Sequence, residues 1–196
     1  MNKNPLKKQQ TKEKIFQAFF REYKQKPLRK ITVSAIADNA CINRCTFYEY
    51  FKDVYDLLEQ AQETLIHEIL ACLDQIKEQD NPHKFELFSA FGQNILYKYG
   101  EQMAVLLSHG DTGFQKKLLN AMKPFLLEML GIDDNDIKTN LVISYALFGI
   151  TGYITTLYGS DTSITNQEAV RTLQKLMVTS LSQLPDASLP IYLYAK

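Results

Sequence analysis

Cys41 and Cys45 stand four residues apart in the stretch CINRCTFYEYF, residues 41–51, inside a knot of aromatics. Two thiols at that spacing could clip a metal, cycle as a redox pair, or belong to a surface that reads another molecule. A structural zinc needs four ligands. The remaining cysteine, Cys72, and the three histidines are scattered along the chain, so the metal reading is weak beside a pair of small half-buried residues. His67-Glu68 lacks the second histidine, four residues after the first, that a zinc protease helix requires. The run from Ser108-His109 to Thr112-Gly113 gathers reactive side chains, yet it reads more simply as a helix stop at Gly110 and a helix start at Asp111. Gly149-Ile-Thr-Gly152 lies inside a helical pattern with no strand before it and is no dinucleotide fingerprint. No nucleophile, base and oxyanion site assemble, and the expectation is a non-enzyme with no cofactor and no metal.

The remaining option is a recognition surface. Phe47, Tyr48, Tyr50 and Phe51 are too dense for a linker, while Arg44, Thr46 and Glu49 are too polar for a buried strand. The flanking elements are legible from spacing. Lys12–Tyr23 carries Ile15, Phe16, Phe19, Phe20 and Tyr23 at helical intervals, and Lys26-Pro27 ends that helix. Thr32 suits an N-cap for Val33–Ala40, Cys41-Ile42-Asn43 is a tight turn, and Asn43 can cap Arg44–Tyr50. Asp53 opens a long helix running to about Lys77. Two short helices joined by a three-residue turn behind a basic amphipathic helix make a helix-turn-helix, with Arg44–Tyr50 as the groove reader.

Charge agrees. The formal net charge is zero, but residues 1–60 hold 12 Lys/Arg against 7 Asp/Glu, and residues 61–196 hold 10 against 15. A basic head on an acidic body suits a polyanion partner for the head alone. The N-terminus is polar with no apolar core of a secretory signal, and the sparse cysteines fit a reducing cytoplasm.

Beyond Asn81-Pro82 the pattern stays helical. Phe85, Phe88, Phe91, Ile95 and Leu96 form one stripe, and Met103, Leu106 and Leu107 form a shorter piece. Phe114, Leu118, Leu119, Met122, Phe125 and Leu126 form another. Thr139 to Ser160 is 22 residues without a charge, near the length that spans a bilayer, and the helix expected within it is Leu141–Tyr158. Its scattered Ser and Thr residues favour a soluble core helix, so no membrane partner is expected. Thr165-Asn166-Gln167-Glu168 is a capping box opening a last helix. Nothing alternates with period two. The expected fold is all-α, with a three-helix DNA-binding head over 1–55 and a larger helical bundle over 56–196.

At Thr32, Ile36-Ala37, Ala40, Ile42, Thr46, Tyr48, Tyr50-Phe51 and Leu57-Leu58 the chain resembles, in order and spacing, the TetR family of bacterial transcriptional regulators. The stretch ILYKYGEQMAVLLSHGDTGFQKKL is similar to the C-terminal domain of a Gram-positive branch of that family. Cys41 stands where the family usually has glycine, so a left-handed residue is expected there. Val54 replaces a common phosphate-contacting lysine, and Asn43 the usual serine.

The resemblance implies a regulator of operator DNA. Ser34, Arg44, Cys45 and Tyr48 would lie near base edges, while Thr32, Thr46, Tyr50 and Lys52 would hold phosphates. Glu49 would either accept from cytosine N4 or face solvent. Phe47 and Phe51 take the packing role. The resemblance also implies a homodimer through Leu141–Tyr158 and Thr165–Leu184, with Gly149 and Gly152 permitting close approach. It implies a small apolar effector in the body, with Phe88, Phe91, Met103, Phe114, Met122, Phe148 and Tyr153 as pocket candidates. Repression relieved by that effector is the leading expectation; a coactivator of the same fold, acting mainly through a protein partner, is the alternative.

Overall fold

A computed structural model describes residues 5–77, 84–109, 112–130, 132, 136–160 and 164–184. They form eight α-helices and one 3-10 turn, with no strand among the described residues. The chain divides into two compact units, Met1–Thr64 and Leu65–Lys196.

The first unit holds α1 (Pro5–Gln25), the 3-10 turn Leu28–Lys30, α2 (Val33–Asn39), α3 (Arg44–Tyr48) and the opening turns of α4 (Val54–Lys77). Its core is Ile15, Phe19, Ile36, Phe47, Phe51 and Leu57, all essentially without solvent contact. The Phe51 ring lies 5.6 Å from Phe47 and 5.7 Å from Phe16, which joins α1 to α3 through aromatic contact. Thr32 caps α2 as expected, its Oγ1 accepting from the Ala35 N–H at 3.2 Å. Asp53 Oδ1 accepts from the N–H groups of Tyr55 and Asp56, satisfying two of the donors that a helix start leaves unpaired. Asp56 reaches back to the Lys52 N–H at 2.7 Å. That bond, with the Gln60 amide, holds the Asp56 carboxyl below the ordinary carboxylate range.

Three expectations need correction here. Asn43 sits at the N-cap of α3 in an extended backbone, but its side chain makes no capping bond. α3 ends at Tyr48 rather than Tyr50, because the Tyr50 and Phe51 N–H groups both turn back onto the Phe47 carbonyl. α2 stops at Asn39, with Ala40 as its C-cap and Cys41 at φ 54°. That left-handed residue is the strained one foreseen for a position that favours glycine.

The second unit contains the rest of α4 and α5 (Lys84–Ser108), α6 (Thr112–Leu130), α7 (Ile137–Gly159) and α8 (Asn166–Leu181). α5, α7 and α8 pack on one another, and α6 lies against α5 and α7. α5 is one helix through Leu107, not a stripe followed by a separate piece. α7 begins four residues earlier than expected, because Asp136 caps it by accepting from the Thr139 N–H at 2.9 Å. The Thr165/Glu168 capping box at the start of α8 is present in both directions. Asn81-Pro82, Gly110 and Asp111 lie outside the described residues.

α7 is long and apolar enough to cross a membrane by length and composition, with a mean hydropathy of 1.4. Ile143, Leu147 and Ile154 face the core, whereas Ile137, Leu141, Tyr145 and Phe148 are more than half exposed.

Gly100 is the tight point between α5 and α7. A Cβ there would overlap the Tyr158 ring, whose hydroxyl donates to the Leu96 carbonyl at 2.6 Å. Alanine is favoured over glycine in a helix by roughly 0.5–1 kcal/mol, while overpacking costs typically 1–3 kcal/mol, so the clash should win. Gly100→Ala should destabilise the protein by about 1 kcal/mol or more in urea unfolding. Combining it with Tyr158→Leu should abolish the part due to the clash. A stabilised Gly100→Ala protein would refute this account of the contact.

Candidate nucleic-acid interface

α3 is positioned by α1, α2 and the start of α4. α1 is tied to α2 through polar contacts at the surface. Arg21 donates to the Asn39 carbonyl at 3.2 Å, and the Asn39 amide donates to Glu22 at 2.8 Å. Glu22 also pairs with Lys26, and that hydrogen bond, more than any other contact, holds its carboxyl below the ordinary range.

On this frame Thr32, Arg44, Cys45, Tyr48, Glu49 and Lys52 are exposed, and Ser34, Thr46 and Tyr50 half-buried. Phe47 and Phe51 are buried, so packing falls to the residues assigned to it. Arg44 Nη2 donates to Ser34 Oγ at 2.6 Å, and the Ser34 hydroxyl lies 3.5 Å from Asp38 Oδ2. This chain of contacts brings the guanidinium of α3 onto α2 and narrows its rotamer choice. Thr32 spends its acceptor on the α2 cap but keeps a hydroxyl proton to donate. Glu49 forms the C-cap of α3 through its N–H. Cys41 and Cys45 are exposed free thiols. Lys7, Lys8, Lys14, Arg29 and Lys30 add exposed positive charge to the same unit.

The second unit holds a partly open cavity of about 100 Å³. Its walls come from α4 (Ile69, Leu73), α5 (Ile95, Leu96), α6 (Leu118, Leu119), α7 (Leu147, Ile150, Ile154) and α8 (Val170, Leu173), among others. Of the expected pocket residues, Met103 and Met122 line it. Phe114 is buried but not part of the wall, Phe148 is exposed, and Tyr153 donates its hydroxyl to the Ala169 carbonyl at 3.0 Å. The side chains of Phe88 and Phe91 lie outside the described ones. The described wall is mostly aliphatic. Thr151 and Gln174 are its polar members, and sequence reasoning named neither. Gln174 could have been noticed as an amide between the apolar Leu173 and Met177 of the α8 seam.

No family model matches the chain, and no curated protein does. Solved structures do. The fatty acid degradation regulator FadR of Bacillus halodurans superposes with a TM-score of 0.63 at 17% identity, covering 91% of this chain and 97% of that one. FadR of Bacillus subtilis, solved in complex with stearoyl-CoA, gives 0.63 at 22% identity over 86% and 98%. A TetR-family regulator of Streptomyces coelicolor gives 0.65 at 15% identity over 89% and 83%. The chain has the all-α fold of TetR-family transcriptional regulators.

Val54 departs from the expectation attached to it. It is buried at 7% exposure among the head's apolar residues, not poised on the surface where a lysine would meet phosphate. A lysine there would lose apolar packing and draw an ammonium toward that core. Val54→Lys should therefore lower stability by about 1–3 kcal/mol rather than gain affinity for DNA. Unchanged urea unfolding together with a steeper salt dependence of DNA binding would restore the surface reading.

Proposed function

We propose that this chain is a TetR-family regulator that binds operator DNA as a homodimer and is released by a small apolar effector, acting as a repressor. The observation that carries the reading is the exposed set on and around α3. Its arginine is bonded to Ser34 of the supporting helix, and its packing residues are buried. Arg44 is the residue suited to guanine, since a guanidinium matches O6 and N7 together. Ser34, Cys45 and Tyr48 lie beside it, and Glu49 is placed to accept from a cytosine amine or to face solvent. Thr32, Thr46, Tyr50 and Lys52 supply hydroxyl and ammonium donors for phosphates, which set register without reading sequence. Two heads on one dimer call for a near-palindromic operator with half-sites about one helical turn apart or somewhat more. A DNA partner places the protein in the cytoplasm.

The pairing surface is the outward side of α7 with α8. Leu141, Tyr145 and Phe148 form an exposed apolar strip on α7, and Leu176 is exposed on α8. A second copy would cover this strip and make a four-helix contact across a two-fold axis. The body cavity supplies the effector site. The stearoyl-CoA of the Bacillus subtilis neighbour is a long chain on a charged head group. The cavity here has about 100 Å³ and no charged residue in its described wall, so a smaller neutral ligand is the better fit. Such a ligand acts only if it binds the DNA-incompetent conformation more tightly. Nothing observed favours the coactivator alternative, whose mark would be feeble promoter binding without a protein partner.

Arg44→Ala should cost roughly 1–3 kcal/mol of affinity for a selected operator and relax specificity at one base pair per half-site. Wild-type binding by that variant, across all base substitutions, would exclude α3 as the reader.

Gly152→Arg tests the dimer cleanly. Nothing lies within 4 Å of a Cβ at Gly152 within its own subunit, so the arginine does not disturb the monomer fold. Across a dimer contact it buries an unpaired charge. Sedimentation should show a dimer for wild type and a folded monomer for the variant. A wild-type monomer at micromolar concentration would rule the dimer out.

A further inference from the structure

The described wall of the body cavity is aliphatic except for Thr151 and Gln174, and these two differ. Thr151 is fully engaged: its hydroxyl donates to the Phe148 carbonyl at 3.0 Å and accepts from the Gln115 amide at 2.9 Å. Gln174 is not. Its Nε2 is buried, and no acceptor among the described residues reaches it. A buried amide N–H without a partner is unfavourable, and such groups in folded proteins call for an explanation. An apolar side chain would fill the place at no such penalty, as Leu173 does beside it.

The cavity is of the order that accepts a single small ring; an engineered apolar cavity of about 150 Å³ takes benzene. No lysine, arginine, histidine or carboxylate stands in its described wall, so a charged ligand would enter without a counter-ion. One donor lacking an acceptor among the described residues, set in an apolar shell, defines a ligand by its complement. We infer that the cavity selects a small neutral molecule carrying a hydrogen-bond acceptor, and that Gln174 is the specificity-determining residue that binds that acceptor. This rests on the effector-site reading of the body and adds the chemical class of the ligand.

Three matched probes decide it. Cyclohexanone presents a carbonyl acceptor, methylenecyclohexane has nearly the same shape without one, and cyclohexanecarboxylate carries a charge. Binding is measured on the full-length protein by calorimetry or by displacement of a fluorescent apolar dye. Wild type should bind cyclohexanone about tenfold or more tightly than methylenecyclohexane, and the carboxylate least. Gln174→Leu should erase the difference between the two neutral probes while still binding both. Relief of the unpaired amide should also raise the variant's unfolding midpoint by a few degrees, roughly 2–4 °C. Equal wild-type affinities for the neutral pair, a preference that survives in Gln174→Leu, tightest binding of the carboxylate, failure of both neutral probes to bind, or a lowered midpoint would each overturn the inference. Operator binding is followed separately in the same preparations. Cyclohexanone that binds through Gln174 yet leaves operator affinity unchanged upholds the inference and removes the effector reading instead.

Discussion

A helix of five residues cannot hold itself together, and the head depends on how this limit is met. Helix nucleation is unfavourable, and isolated helices of this length are unstable in water. α3 exists because Phe47 is wholly buried and in ring contact with Phe51, which in turn meets Phe16 of α1. The anchor also sets the helix's rotation about its own axis. With Phe47 turned inward, Arg44, Cys45, Tyr48 and Glu49 remain outside. The caps follow the same economy. Thr32 and Asp53 secure the helices on either side, so α3 survives without a side-chain cap from Asn43. The orientation of α3 is therefore set by aromatic packing rather than by charge.

The body solves a different problem. α7 is apolar on nearly every side, and such a helix needs burial all round. Within one chain it receives this on only part of its surface: Ile143 and Ala146 enter the core, and Leu147, Ile150 and Ile154 face the cavity. Leu141, Tyr145 and Phe148 stay more than half exposed. Gly149 and Gly152 have open space where a side chain would stand. Bilayer length and an uncovered apolar strip are the same physical fact seen twice. The cover proposed for that strip is a second copy of the chain.

Much of this was legible in the sequence, and the failures have identifiable causes. The all-α architecture, the turn at Cys41, the caps at Thr32 and Asp53 and the box at Thr165 rest on short-range rules that fold context rarely overrides. α3 was drawn two residues too long because Tyr50 and Phe51 fit a helical pattern; their N–H groups instead close a tighter turn on the Phe47 carbonyl. The start of α7 was missed because periodicity in an all-apolar segment carries little phase information, whereas the Asp136 cap is a single side chain. Val54 shows a further limit. A family position says which residue type is common there, but burial is decided by how the helix start packs. The cavity lay furthest from view. Its wall draws on five helices, and nothing local marks Leu118 of α6 as a neighbour of Val170 of α8.

Apolar seams alone do not explain why that cavity stays open. Leucine and isoleucine contacts are non-directional, and two such helices can slide by a turn with little change in buried area. Tyrosines supply the missing register. Tyr158 of α7 donates to the Leu96 carbonyl of α5 beside Gly100, and Tyr153 of α7 donates to the Ala169 carbonyl of α8. Tyr99 of α5 donates to Glu68 of α4, with Lys98 pairing to the same carboxylate at 3.6 Å. Burial, reinforced by the bond to Glu68, raises the Tyr99 pKa, so this phenol stays a donor throughout the ordinary pH range. Sliding any of these helices by one turn would move it about 5.4 Å and strand a half-buried hydroxyl without its partner, a cost the apolar contacts cannot repay. Leu96 and Val170, which line the cavity, sit at or next to two of these acceptors. The directional bonds thus hold the helices at the spacing that leaves room between them, and collapse of the cavity would require breaking a hydrogen bond on α5 or α8.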